Sequence, residues 1–152
     1  MNILLDTNVA LQIVRAKNRE KLISLLNPND DTFYISVVNE AELKSISIRN
    51  KWKQDKIDSL ELFLHDVRII EVSQMLVHTY VEIDSFSQRT NPNFEEYPFD
   101  TPRNMGKNDL WIASTASLLG LELYTTDGDF DHLDQVFLDV RKFKHEDFAS
   151  YK

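Results

Sequence analysis

The 152-residue sequence has no cysteine, three glycines, four prolines and four histidines. Its apolar runs all fall short of the ~20 residues needed to span a membrane. Without cysteine there are no disulfides, no thiolate zinc sites, no iron–sulfur clusters and no thiol nucleophile. Gly106, Gly120 and Gly128 leave neither a Walker loop nor a dinucleotide fingerprint. His65, His78, His132 and His145 lack paired zinc spacing and are expected at the surface or at caps. Ser114 and Ser117 have no histidine near them in sequence, which argues against a serine hydrolase. The apolar start is broken by Asp6 and lacks a basic leader, so no signal peptide is expected. The expectation is a soluble cytoplasmic protein, 1–152 forming one domain that buries a core without staples.

What is present is charge, mostly negative: 25 acidic residues against 17 basic, a formal net charge of −8. Phosphate binders are usually basic, so the total points away from a nucleic-acid partner. Its distribution is uneven. Residues 1–43 carry −2, residues 44–56 carry +4, residues 57–100 carry −7 and residues 101–152 carry −3. One short basic segment thus interrupts an acidic chain. It contains Arg49, Lys51, Lys53 and Lys56 around Trp52. A solvated helix face accounts for such a run as well as a phosphate-binding patch does.

Residues 2–5 read as a buried strand ending at Asp6, with Asn8 available to cap the helix that follows. A second helix is expected over 19–26, before the turn cluster 27–31. A strand over 33–38 leads into a helix from about 38 to 48, and 54–66 carries an apolar helical stripe. A strand over 67–72 precedes a helix capped by Ser73 and running to about 89. Residues 91–106, with three prolines and a glycine, form a long loop or insertion. A helix over 107–119 ends at Gly120, and strands over 121–125 and 136–143 complete the set. Alternating strands and helices specify an α/β fold, with a mostly parallel sheet of about five strands between helices on both faces. Ligands in such folds sit beyond the carboxyl ends of the strands.

Several carboxylates fall at element ends or in apolar company: Asp6, Glu42, Asp109, Asp127 and Asp129. Each has an ordinary explanation when taken alone. Asp6 turns the chain, Asp109 suits a helix dipole, and Asp127-Gly128 forms a turn. Glu40 and Glu42 point in different directions on a helix, so at most one enters a shared site. Asp127, Asp129 and Asp131 mimic the start of an EF-hand loop, but His132 and Leu138 occupy its glycine and glutamate positions and exclude it. Assembled at strand ends, these acids repel unless a cation holds them. All-oxygen ligands select Mg²⁺ or Mn²⁺, and such a site suits phosphodiester hydrolysis.

Four segments carry a family resemblance: Leu-Asp-Thr-Asn after the first strand, Ala-Glu-Leu in the third helix, Asn-Asp-Leu-Trp-Ile-Ala-Ser opening a late helix, and Thr-Thr-Asp-Gly-Asp-Phe after the next strand. Asp6, Glu42, Asp109 and Asp127 stand 36, 67 and 18 residues apart. In this order the chain resembles PIN-domain ribonucleases, in particular the VapC-like toxins of type II toxin–antitoxin modules. The resemblance implies a metal-dependent endoribonuclease using one or two Mg²⁺ or Mn²⁺ ions and leaving a 3′-hydroxyl and a 5′-phosphate. Carried over by position, Asp6, Glu42 and Asp109 are core ligands and Asp127 the more variable fourth acid, with Asp129 beside it as the other candidate. The hydroxyl of Thr7 or Thr126 orients a ligand or water. RNA contacts are expected from Arg49, Lys51, Lys53 and Lys56, and Trp52 either stacks on a base or buries against a partner helix. The resemblance further implies an RNA substrate, an antitoxin whose basic C-terminal segment lies across the site, and a homodimer. Segment 91–106 is the departure from the family pattern. The alternatives are a PIN-like binding module without chemistry and a nuclease acting on DNA.

Overall fold

Three apolar residues, Ile3–Leu5, make the central strand β1, and their burial on both faces sets the layering of the molecule. In the computed structural model, which describes residues 2–152, β1 runs between β2 (Phe33–Ser36) and β4 (Glu122–Thr125). Strands β3 (Arg68–Ile70) and β5 (Asp139–Lys142) close the two edges. The order is β3-β2-β1-β4-β5 and every pairing is parallel, with Ile3 opposite Phe33 on one side and Leu5 opposite Tyr124 on the other.

Alternation along the strands divides the core in two. Ile3, Leu5, Ile35 and Tyr124 face helices α1 (Thr7–Arg15), α2 (Arg19–Leu26), α3 (Val37–Arg49) and α4 (Gln54–Asp66). Leu4 and Leu123 face α5 (Val77–Ser87) and α6 (Lys107–Leu119). Helix α6 stops where Gly120 takes φ 64°, a left-handed geometry that spares glycine the Cβ clash. Among the described residues no helix is long and apolar enough to cross a membrane.

Local chemistry moves several expected boundaries. Asp6 caps α1, its carboxylate accepting the Thr7 N–H at 2.8 Å, so Asn8 lies inside the helix and is exposed instead of capping it. Ser36 caps α3 in a reciprocal box with Asn39, which ends β2 two residues early. Ser73 makes no capping hydrogen bond; a 3₁₀ turn, Gln74–Leu76, precedes α5.

The long loop after α5 has no regular hydrogen-bond ladder, but it is packed. Phe94, Tyr97 and Phe99 set their rings 4.6, 5.4 and 5.4 Å from that of Phe86. Asn91, almost fully buried, donates to the Glu82 carbonyl at 2.9 Å, and the Tyr97 hydroxyl donates to the Asn91 carbonyl at 2.9 Å. His132 belongs to the same cluster, which corrects the expectation of a surface or capping histidine. Its Nε2 lies 2.8 Å from Ser87 Oγ and its ring stacks parallel to Phe86. Burial, with Arg103 nearby, lowers its pKa to about 4, so it is neutral at physiological pH.

Candidate metal centre at the carboxyl ends of the strands

The strand order reverses between β1 and β4, and this is where open α/β sheets form a crevice. Asp6 directly follows β1, and Asp127 stands two residues beyond β4. Helix α3 brings Glu42 across from one face of the sheet, and the first turn of α6 brings Asp109 from the other.

Asp6 is the most enclosed of these acids, 6% exposed. One carboxylate oxygen accepts the Thr7 N–H and the other accepts the Thr125 hydroxyl at 2.7 Å. Burial nevertheless raises its pKa; those two hydrogen bonds oppose the rise, while the Glu42 and Asp127 charges add to it. Glu42 is held from both sides. Thr7 Oγ1 donates to Oε2 at 3.2 Å, and Asn108 Nδ2 donates to Oε1 at 3.3 Å. The Thr7 hydroxyl in turn accepts from Asn39 Nδ2 at 3.0 Å. Glu40 turns away to pair with Lys44 at 3.1 Å.

The tightest convergence is among Asp109, Asp127 and Asp129, each of which offers an oxygen within 4.8 Å of the others. Asp127 also caps the 3₁₀ turn Gly128–Leu133 through the Asp129 N–H. Asp109 takes the strain of the assembly. Burial and then repulsion from Asp6, Asp127, Asp129 and Glu42 push its pKa up to about 7. Among the described residues the ion pairs are Lys44–Glu40 and Lys142–Asp131, and neither reaches these five carboxylates. Clustered, partly desolvated oxygens without a paired cation are the donor set that a hard divalent ion fits.

Five expected contributors, Trp52, Thr126, Lys51, Lys53 and Lys56, make no hydrogen bond or ion pair with these carboxylates among the described residues. Trp52 is 8% exposed within the core against α1 and α4, with Arg15 and Lys56 over its ring at 5.7 and 5.4 Å, so it offers no free face to a base. Thr126 Oγ1 is buried and makes no hydrogen bond among the described residues; the neighbouring Thr125 holds the Asp6 carboxylate. Lys51 and Lys53 lie exposed on the α3–α4 turn, Lys56 packs on Trp52, and Arg49 lines a cleft beside Glu42. Thr125, Asn39 and Asn108 escaped sequence reading because a Thr or Asn near an acid is ordinary; only the fold shows where the hydroxyl or amide points.

The PIN domain family model matches residues 3–136. No curated protein matches the chain. Among solved structures, VapBC2 from Rickettsia felis bound to a promoter DNA fragment is similar at 24% identity and a TM-score of 0.72, over 93% of this chain and 98% of that one. VapBC-1 from nontypeable Haemophilus influenzae is similar at 23% identity and 0.70, over 93% and 98%. FitAcB from Neisseria gonorrhoeae is similar at 23% identity and 0.64, over 91% and 95%.

Proposed function

The chain belongs to the PIN-domain family, and from that premise we propose that it is a metal-dependent endoribonuclease, the toxin of a toxin–antitoxin pair. The observation that carries this reading is the convergence of Asp109, Asp127 and Asp129 within 4.8 Å, bordered by Asp6 and Glu42, at the reversal point of a parallel sheet. Asp109, Asp127 and Asp129 would hold Mg²⁺ or Mn²⁺, with Asp6 and Glu42 completing the site for one or two ions. When bound, such an ion supplies an activated water and stabilises charge on the leaving oxygen of a phosphodiester.

The side chains of this protein do the positioning. Thr125 and the Thr7 N–H fix both oxygens of Asp6, and Thr7 and Asn108 fix those of Glu42, so neither carboxylate is free to rotate away. Asp109 carries a proton for much of the time near neutral pH and gives it up when a cation arrives. No side-chain nucleophile is required. A small partner protein with a basic C-terminal segment suits the same five carboxylates, since a lysine or arginine laid among them neutralises what a metal ion otherwise would. Exposed Val77 and Val81, one turn apart on α5, support pairing with a second copy.

The test is incubation of purified protein with RNA and with DNA under Mg²⁺, Mn²⁺ and chelator, followed by analysis of the ends. RNA cleavage that needs a divalent ion, leaves a 3′-hydroxyl and a 5′-phosphate, and disappears in Asp6→Asn and Asp109→Asn is the expected result. Cleavage of DNA alone points to a DNA nuclease, and metal-independent inertness to a binding module; either outcome sinks the proposal. Co-purification of a small basic-tailed protein that suppresses cleavage tests the toxin assignment.

A further inference from the structure

The acid cluster lies in the middle of a row of clefts, and the row ends in an arginine on each side. On one side Arg103, Asn104 and Met105 form a notch with Asp129. Next, Asp109 and Glu42 share a recess with Gly106, Lys107 and Asn108. Beyond them Glu42 and Asn108 border a larger cleft of about 620 Å³, with Val38, Ala41 and Ile46 along its wall and Arg49 at its end. Glu42 and Arg49 are seven residues apart on α3, nearly two turns, which puts them about 10 Å apart on one face.

Neither terminal guanidinium, that of Arg49 or that of Arg103, is taken up by an ion pair among the described residues. Arg103 is also held in place. Its N–H donates to the Ser87 carbonyl at 2.7 Å, and its guanidinium sits 5.7 Å from the centre of the Phe99 ring. Phe99 is fixed in turn by Phe86 and His132. The packed aromatic loop therefore works as a rigid bracket that presents a cation beside Asp129.

We infer that these clefts are a track for one strand of nucleic acid, crossing the acid cluster between Arg103 and Arg49, with the loop of residues 91–106 building one wall. The inference rests on the nuclease reading and gives it a substrate path. A polyanion laid along the track meets a guanidinium at each end and Lys107 between them, and the carboxylates repel it only until a divalent ion neutralises them. The apolar wall at Val38, Ala41 and Ile46 takes a base or sugar from a single strand, because a paired base has no free face to offer it. The occupant is single-stranded RNA.

The test uses the whole protein as wild type, Arg49→Gln, Arg103→Gln and the double variant, with Lys21→Gln on exposed α2 as the control. Binding is read by anisotropy of a fluorescein-labelled mixed-sequence single-stranded RNA in Mg²⁺, beside an RNA duplex of equal length, Mn²⁺ affinity and cleavage kinetics. Each arginine variant is expected to weaken strand binding and raise KM about tenfold, with the salt dependence shallower by about 0.7 in log–log slope. Mn²⁺ affinity and kcat stay close to wild type, and Ala41→Leu, which narrows the larger cleft, weakens binding as well. Unchanged binding and salt slope in both arginine variants overturn the track, as does a duplex that binds as tightly as the single strand. Wild-type protein that binds RNA through both arginines and cleaves nothing sinks the nuclease reading and leaves the track standing. Cleavage indifferent to both arginines does the reverse.

Discussion

Thr125 Oγ1 donates to Asp6 Oδ2 at 2.7 Å while accepting the Asp127 N–H at 3.0 Å, so one hydroxyl joins the ends of β1 and β4 across the point where the sheet order reverses. That hydroxyl lies in the interior and Asp6 has little access to water, so the bond has no substitute. Thr125→Val is expected to lower stability by about 1–3 kcal/mol, the usual cost of stranding a buried acceptor, and to weaken Mn²⁺ binding. Thr125→Ser restores both. Thermal melts with and without Mn²⁺ measure the pair, and a valine variant with wild-type metal affinity would refute the role.

Asp109 gives a pH dependence with a definite sign. Its pKa rises from 3.8 to about 7 on folding, so the folded protein holds a proton that the unfolded chain has released. Stability from this group is therefore full below about pH 4 and is lost as pH rises through 7, by at most about 1.36 kcal/mol per pH unit. Asp109→Asn is expected to raise the metal-free melting temperature at pH 7.5 while abolishing cleavage. Melts between pH 4 and 8 check it; an asparagine variant less stable than wild type at pH 7.5 would contradict the repulsion argument.

His132 acts in the opposite direction over nearly the same window. Its pKa falls from 6.5 to about 4, so the unfolded chain takes up a proton that the buried imidazole refuses. Its contribution is full above pH 6.5 and is lost as pH drops toward 4. The two contributions oppose each other in wild type, and the raised pKa of Asp6 and of Asp129 adds to the Asp109 side, so each group is read as a difference from wild type. Between pH 4 and 6.5, Asp109→Asn should turn the slope of stability with pH more positive than wild type, and His132→Gln more negative. Equal slopes in the two variants would exclude this assignment.

Metal binding should couple to protons and to fold stability. Mg²⁺ or Mn²⁺ is expected to raise the melting temperature, to bind more weakly below pH 7 because Asp109 must lose its proton, and to release protons in an unbuffered titration. Asp127→Asn and Asp129→Asn, compared by calorimetry, decide which of the two acids is the stronger ligand. Binding that is insensitive to all three aspartates would remove the site.

Trp52 separates structure from recognition. It belongs to the core on the side of the sheet opposite α5 and α6. Trp52→Ala is expected to cost about 3–5 kcal/mol of stability, as truncation of a large buried aromatic does. RNA affinity per folded molecule should be unchanged; a selective loss of affinity at preserved stability would return Trp52 to the RNA surface.

The sequence by itself determined the fold class and the acids available. Three-residue apolar β1, the stop at Gly120 and the helical stripes are local signals, set by hydrogen-bond satisfaction and the periods of strand and helix. The position of Asp6 immediately after a strand was legible for the same reason. Tertiary structure alone decided how the acids group. Asp109 comes from a helix on one face and Glu42 from a helix on the other, and their proximity depends on parallel pairing of β1 with β4, which no local pattern encodes. It also decided the fate of polar and aromatic residues whose local context is ambiguous. Trp52 and His132 went inside, Thr125 supplied the hydroxyl that holds the Asp6 carboxylate, and a loop with three prolines became a packed wall beside Asp129. Burial and desolvation are properties of the assembled whole, so the charge that a carboxylate or an imidazole carries is settled only once its neighbours are in place.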